Sequence, residues 1–186
     1  PIKDNLVLKA ANLLKERTKT SKGIKIFLKK KIPMEKGLGG GSSNAATTLV
    51  VLNKLWETNL KKDELMEIGL ELGSDIPFFI HGINSWAEGR GEIFKPLTLP
   101  DQWFLLAFPK TNISTRLAFN EIHIPKTSAI TKEGFLNGSS KNSFTDWAKE
   151  KFPEIKNTFN QLQDLGVPKL TGTGSTLFLS FKNEKE

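Results

Sequence analysis

Apolar residues recur every three or four positions in several stretches of the chain, which is the spacing of one buried helix face. Asp4 or Asn5 can cap the first stretch. Ser42 or Ser43 can cap the second, and Gly73 ends the third. The pattern predicts helices over residues 5 to about 17, about 43 to 57, 62 to 72, and from about 147 or 153 to 165.

Alternating and short apolar runs predict strands. Residues 24–28 alternate between Ile or Leu and other side chains, which predicts a strand before the glycine-rich segment. Residues 124–141 have no clear period, which predicts a long surface loop. The chain is therefore predicted to be α+β, with domains at 1–95 and 96–186. Further short strands are predicted at 85–87, 93–94, 103–108 and 177–181.

The chain has 186 residues, no cysteine and no long apolar stretch. We therefore expect no disulfide, no membrane span and a cytoplasmic location. The net charge of +7 suits an anionic ligand and also nucleic acid. The lysines are spread along the chain without interleaved aromatics and arginines, so a small anionic molecule is favoured over nucleic acid as the partner, and no oligomeric state is predicted.

The segment Gly37-Leu38-Gly39-Gly40-Gly41-Ser42-Ser43 runs directly into the second predicted helix. Glycines admit backbone angles closed to other residues and let a ligand approach the main chain. Free N–H groups and the dipole at a helix N-terminus favour an anion by about 0.3–1 kcal/mol, and by up to about 2 kcal/mol. The segment therefore predicts a phosphate loop, with a flexible hinge as the alternative. It is neither a Walker loop nor a dinucleotide loop, because no Gly-Lys-Ser or Gly-Lys-Thr closes it and position 42 is serine.

Two further segments carry candidate chemistry. Asp75 lies between a helix-ending glycine and a Pro-Phe-Phe run, an apolar setting in which solvation alone poorly explains a carboxylate. It is a candidate catalytic acid or base, or the N-cap of a short helix, and the two roles are compatible. Residues 171–176 predict a tight turn against a phosphate or against the glycine loop, or a simple hairpin turn. His81 and His123 lack partners at metal-ligand spacing and are interpreted as structural or surface residues.

Together these segments resemble the GHMP kinase superfamily. The loop resemblance runs from Pro33-Met34 through Gly37-Leu38-Gly39-Gly40-Gly41-Ser42-Ser43-Asn44-Ala45-Ala46. The ordered set of motifs around it resembles, within that superfamily, the 4-diphosphocytidyl-2-C-methyl-D-erythritol kinases, and the similarity extends from Asn5 to about Phe181. These motifs are Leu72-Gly73-Ser74-Asp75-Ile76-Pro77-Phe78-Phe79, Ala87-Glu88-Gly89-Arg90-Gly91-Glu92 and Thr171-Gly172-Thr173-Gly174-Ser175.

The resemblance implies an ATP-binding domain like ribosomal protein S5 domain 2 and a ferredoxin-like second domain. It implies transfer of the γ-phosphoryl group of ATP, with Mg²⁺, to the 2-hydroxyl of a cytidyl-diphosphate-linked polyol on the non-mevalonate isoprenoid route. By the same resemblance Asp75 is the catalytic acid/base, and Asn5 and Lys30 lie near adenine. Thr115 and Phe119 face the cytidyl substrate. The ATP phosphates are held by Pro33, Met34, Glu35, Lys36, Gly37, Leu38, Gly39, Gly40, Gly41, Ser42 and Ser43, and the third motif is Gly172, Thr173 and Gly174.

The family opens with a strand of the type Ala-Lys-Ile-Asn-Leu and an Asp-Gly-Tyr-His turn, and neither occurs here. We therefore expect these residues to be the middle of the enzyme, without the N-terminal lysine strand and the C-terminal end, and to phosphorylate poorly alone. Two alternatives stay open from the residues. One is another GHMP kinase, of homoserine or mevalonate type, and the other is a non-catalytic binder of anions or nucleic acid.

Overall fold

The structure, a computed structural model, describes residues 4–123, 130–136 and 141–184. The chain forms two compact units. The first comprises the chain up to Lys31 together with Gly39–Leu99, and the second comprises Ile32–Leu38 and the chain from Pro100 onward. The glycine loop is therefore divided, with residues 33–38 in the second unit and 39–43 in the first.

The described residues of the first unit form four helices and one antiparallel hairpin, and residues 20–31 have no regular structure. Its hairpin places Glu88 opposite Ile93 at the turn end. The three helices predicted for this part of the chain and the strands predicted at 85–87 and 93–94 are confirmed as elements, with shifts at their ends. The elements are α1 (Leu6–Thr18), α2 (Gly40–Leu55), α3 (Lys62–Leu72), α4 (Ile76–His81), β1 (Ser85–Glu88) and β2 (Ile93–Pro96).

The apolar faces of α1 to α4 form one core. Small buried side chains, such as Ala10 of α1 and Ala46 of α2, allow these two helices to pack closely. A Cβ added to Gly69 of α3 would lie 2.8 Å from Cγ2 of Ile76, so α3 and α4 are in direct contact there. This packing fixes the start of α4, which directly follows Asp75.

Two predictions in the first unit are wrong. Residues 24–28 form no strand, because none of the described residues pairs with them, and a strand requires hydrogen bonds from a neighbour. The second helix begins at Gly40 rather than near residue 43. Gly39, at φ +63°, turns the chain straight into the helix and takes the N-cap position, so Ser42 and Ser43 lie inside the first turn.

The second unit contains an antiparallel sheet in the order β3-β5-β4. Leu105 lies opposite Leu179 and Leu170 lies opposite Leu177. The predicted strands at 103–108 and 177–181 are confirmed. The elements are β3 (Trp103–Ala107), α5 (Thr115–Glu121), α6 (Lys132–Leu136), α7 (Phe144–Lys151), α8 (Pro153–Leu162), β4 (Lys169–Leu170) and β5 (Leu177–Phe181). The buried side chains of the core are Ile113, Ala118, Ala148, Ile155, Leu162, Leu170, Leu177 and Leu179.

Two predictions in the second unit also need correction. The predicted loop at 124–141 is interrupted by α6, where the Thr131 hydroxyl oxygen accepts a hydrogen bond from the N–H of Gly134 (3.0 Å). The parts of that loop at 124–129 and 137–140 lie outside the described residues. Of the two starts predicted for the helix that ends near 165, the one at 153 is confirmed by α8, although this helix ends at Leu162. The residues around 147 form a separate helix, α7, because Phe152 precedes a proline and is therefore extended (φ −121°, ψ 100°).

None of the helices in the described part of the chain combines the length and the apolar character that a bilayer crossing requires.

Candidate active site

The first part of the glycine loop lies against the turn at 171–176 in the second unit. Gly37 has φ +70°, in the left-handed region, and a Cβ there would lie 2.2 Å from the carbonyl oxygen of Thr171. The Thr171 hydroxyl donates a hydrogen bond to the carbonyl oxygen of Gly37 (2.8 Å). Gly172 also lies close to the loop, since a Cβ there would lie 3.1 Å from the carbonyl oxygen of Gly37. The third motif therefore contacts the loop backbone, and a side chain at position 37 would separate the two.

The second part of the loop is the N-terminus of α2 in the first unit. The N–H groups in the first turn of a helix lack intrahelical acceptors. Here they also lack a side-chain cap, because Gly39 occupies the N-cap position. A Cβ added to Gly39 would lie 2.6 Å from Cζ of Phe79, so the Phe79 ring on α4 packs directly against the loop. The Ser43 hydroxyl donates weakly to the carbonyl oxygen of Gly40 (3.3 Å). This terminus can accept an anion through its main chain.

Asp75 occupies the N-cap position of α4 but its side chain makes no capping hydrogen bond. Asp75 is exposed, so the prediction that its carboxylate lies in an apolar setting is wrong. The reason is that the apolar neighbours Ile76 and Pro77 turn inward to the core, which leaves the cap residue at the surface. Phe79 is four residues later, one helical turn on, and so lies on the same side of α4 as Asp75. That is the side that contacts Gly39.

The turn between β1 and β2 lies beside Asp75. A Cβ added to Gly91 would lie 3.1 Å from the carbonyl oxygen of Ser74. The two acids of this turn are already engaged. Glu88 pairs with Lys95 (2.8 Å), whose hydrogen bond lowers the pKa of the Glu88 carboxyl, and Glu92 accepts from the N–H of Arg90 (2.6 Å). By contrast, none of the described residues forms a hydrogen bond or an ion pair with the carboxylate of Asp75, which is therefore available.

A cavity of about 600 Å³ in the first unit lies between α1 and the extended segment that follows it. Asn5 and Lys30, both predicted to lie near adenine, line this same cavity. Asn5 also caps α1, because its side-chain oxygen accepts from the N–H of Val7 (3.0 Å). Trp56 lines the cavity as well, and its buried indole N–H has no hydrogen-bond acceptor among the described residues. The cavity therefore combines an apolar wall with polar groups, as nucleotide sites do.

The segment that contains the α2 N-terminus, Asp75 and most of the cavity lining matches a known family. The family described as GHMP kinases N terminal domain matches residues 5–83. A 4-diphosphocytidyl-2-C-methyl-D-erythritol kinase from Nitrosococcus oceani is 41% identical over 187 residues, which cover 100% of this chain and 67% of the relative. The chain belongs to the 4-diphosphocytidyl-2-C-methyl-D-erythritol kinase family.

Further members agree with this. The kinase of that name from Buchnera aphidicola subsp. Schizaphis graminum is 45% identical over 189 residues, which cover 97% of this chain and 65% of the relative. A crystal structure of 4-(cytidine 5'-diphospho)-2C-methyl-D-erythritol kinase matches with a TM-score of 0.78 and 31% identity, covering 96% of this chain and 69% of that one. The predicted α+β GHMP kinase fold is confirmed, and the chain spans about two thirds of the length of these relatives.

Two residues predicted to face the cytidyl group of the family's substrate lie on α5. Thr115 is the first residue of that helix, and Phe119 follows one turn later on the same side. Both are exposed, and the ring of Phe119 meets that of Phe144 edge to face with centroids 5.1 Å apart. Ala118, which directly precedes Phe119, is fully buried. The helix therefore has one polar and one aromatic side chain exposed on the same side.

The burial of one loop residue is not predicted from the sequence. Lys36 is among the residues predicted to hold the ATP phosphates, and its side chain is buried inside the second unit. Its ammonium donates to the carbonyl oxygens of Pro109 (2.6 Å) and Thr111 (2.7 Å) and to the hydroxyl oxygen of Ser175 (3.2 Å). A lysine in a glycine-rich segment is ordinarily expected to be exposed. Only the position of Lys36 next to the buried third motif indicates that its side chain is buried.

Outside these groups the loop is open. Pro33, Met34 and Glu35 are exposed, and Leu38 is half-buried. The two histidines are as interpreted: His81 stacks on Phe94 with ring centroids 4.7 Å apart, and His123 is exposed.

Proposed function

We propose that this chain carries the nucleotide-binding and catalytic groups of a kinase that transfers the γ-phosphoryl group of ATP to the 2-hydroxyl of 4-diphosphocytidyl-2-C-methyl-D-erythritol. The observation that carries the proposal is the structure of the loop. Its glycines admit no side chain at Gly37 and Gly39, it ends in the uncapped N-terminus of α2, and the available carboxylate of Asp75 lies on the helix that contacts it. Membership of the kinase family supports the particular acceptor.

The phosphates of ATP would bind to main-chain N–H groups of the loop. Phosphoryl transfer needs mainly positioning and neutralisation of charge, and little covalent chemistry by the protein. The helix N-terminus alone supplies at most about 2 kcal/mol for an anion, so the remaining loop amides and bound cations must supply the rest. Within the second unit Thr171 bonds to Gly37, and within the first unit Phe79 contacts Gly39, so each part of the loop supplies its amides without first having to be ordered.

Asp75 would accept the proton of the acceptor hydroxyl. As the hydroxyl oxygen bonds to the γ-phosphorus, the bond from that phosphorus to the β–γ bridging oxygen breaks, and ADP leaves. Glu88 and Glu92 are engaged with Lys95 and with the backbone of Arg90, which leaves Asp75 as the base with a free carboxylate near the turn. Thr115 and Phe119 would contact the cytidyl group, the first by hydrogen bonding and the second by stacking.

Magnesium would enter with the nucleotide. Within residues 4–123, 130–136 and 141–184 there is no cluster of three His, Asp or Glu side chains suited to holding a metal ion alone. Mg²⁺ is commonly held by one or two carboxylates together with substrate phosphates, so a protein site with few ligands fits the ion when ATP is present. In that setting the ion would neutralise charge on the phosphates.

The product of the complete gene is expected to release ADP when supplied with ATP, Mg²⁺ and the cytidyl-linked acceptor, and not with 2-C-methyl-D-erythritol alone. The assay measures ADP together with the phosphorylated product. Equal rates with linked and unlinked acceptors would favour another GHMP kinase activity. Binding that falls steeply with salt and shows no preference for ATP would favour a general anion binder.

Replacing Lys30 with methionine is expected to weaken ATP binding about fivefold, which corresponds to the loss of one typical hydrogen bond of about 1 kcal/mol. Titration calorimetry measures this. Lys29→Met is the matched control, because it removes the same charge from the adjacent residue, which does not line the cavity. Inorganic triphosphate, which has no adenine, should bind equally well to both variants. Equal weakening of ATP binding in both variants would mean that Lys30 acts only through overall charge.

A further inference from the structure

The ammonium of Lys36 lies inside the second unit, and the residue as a whole is 8% exposed. An ammonium has three donors, and here all three have acceptors: two main-chain carbonyls and one hydroxyl. The Ser175 hydroxyl that accepts from Lys36 donates in turn to the carbonyl oxygen of Thr111. The charge is therefore fully hydrogen-bonded, but none of the described residues places a carboxylate on it.

The main chain around Lys36 is bonded to the same two segments. The N–H of Thr176 donates to the carbonyl oxygen of Lys36, and the N–H of Ile113 donates to that of Glu35, each at 3.3 Å. The carbonyl oxygen of Gly37 accepts from the Thr171 hydroxyl. Three consecutive loop residues are thus connected to the strand-to-helix segment at 109–113 and to the turn at 171–176. The Lys36 ammonium is the group that bonds to both.

A buried charge without a counter-charge is costly, and hydrogen bonds from neutral groups offset only part of that cost. A methionine would fill most of the same volume without carrying a charge, so packing alone does not require lysine here. An anion on the adjacent glycine loop would favour the charged side chain, because nearby opposite charges interact strongly where water is excluded. The buried ammonium of Lys36 is therefore more favourable when a polyphosphate is bound to the loop than when none is bound.

We propose that Lys36 is a positioning residue for the nucleotide. Its ammonium, inside the second unit, keeps residues 35–37 in the conformation that presents the loop amides. Its positive charge also favours binding of the polyphosphate, without direct contact. This inference rests on the proposed function, and it concerns how the loop is kept ready rather than which groups react.

The test is Lys36→Met in the product of the complete gene. We expect the dissociation constant and KM for ATP to rise about tenfold, the value of a buried hydrogen-bonded charge, with kcat and KM for the acceptor changed by less than about twofold. Lys110→Met is the matched control, because Lys110 lies between Pro109 and Thr111, carries the same charge and is exposed. A lower melting temperature or active fraction with unchanged KM for ATP would show a merely structural role and would overturn the proposal.

Hydrogen exchange without nucleotide gives a readout that does not depend on catalysis. Lys36→Met should speed exchange at the N–H groups of Ile113 and Thr176, and leave α2 to α4 unchanged. If the unsubstituted protein fails to bind ATP, the proposed function fails, whereas unchanged exchange at these two groups contradicts the positioning role itself. If Lys36→Met does not fold, Ser175→Ala removes one acceptor and should raise the dissociation constant for ATP about twofold to threefold; an unchanged constant would also overturn the proposal.

Discussion

Replacing Asp75 with asparagine is expected to lower kcat by about 10²–10⁴-fold, the usual contribution of a general base, in the product of the complete gene. The dissociation constant for ATP should change by less than about twofold, because Asp75 would act on the acceptor hydroxyl and not on the phosphates. Asparagine caps helices as well as aspartate does, so α4 should keep its start. The measurements are steady-state ADP release, calorimetric ATP binding and thermal unfolding.

Asp63→Asn is the matched control for this change. Asp63 is an exposed acid in the first turn of α3, in the same unit, and its loss removes the same charge from a similar position. It should leave kcat unchanged within about twofold. If Asp75→Asn keeps near-normal turnover, Asp75 is not the base. If it loses ATP affinity and melting temperature together, the change acts through the local fold around Asp75, which contradicts its assignment as the base.

Replacing Gly37 with alanine is expected to have the second large effect, on the loop itself. The new Cβ would lie 2.2 Å from the carbonyl oxygen of Thr171 and 2.8 Å from that of Gly174, both main-chain atoms that cannot move away cheaply. Left-handed backbone at a non-glycine residue adds about 1–3 kcal/mol of strain, and forced overpacking adds about 1–3 kcal/mol. The loop and the turn at 171–176 should therefore separate.

A cost of about 3 kcal/mol corresponds to about a 100-fold weaker affinity for ATP if the loop must be restored on binding. Gly82→Ala is the matched control, because Gly82 has nearly the same backbone angle, φ +73°, but a Cβ there would meet its nearest atom at 3.8 Å. The control should lower stability by about 1 kcal/mol through backbone strain and leave ATP affinity unchanged. Comparable losses of affinity in both variants would mean that backbone strain, and not contact with the third motif, explains the effect.

Much of the local structure could be predicted because it depends on residues close together in the chain. The helix at 62–72 has its apolar period and its terminal glycine in one window, and its predicted ends are those observed. Asn5 caps α1 as its position before the apolar stretch indicates. The strand predicted at 24–28 failed for the opposite reason, because pairing is a property of two segments and the alternation of one segment cannot supply the other.

The sequence by itself determined the order of the motifs, the glycines of the loop and the presence of a helix at its end, and these suffice to place the chain among GHMP kinases. The tertiary structure alone decided the environment of each side chain. Asp75 lies at the surface because its apolar neighbours fill the core, whereas Lys36 is buried because segments more than 70 residues away supply its acceptors. Burial and hydrogen bonding depend on contacts between distant parts of the chain, which no local pattern records.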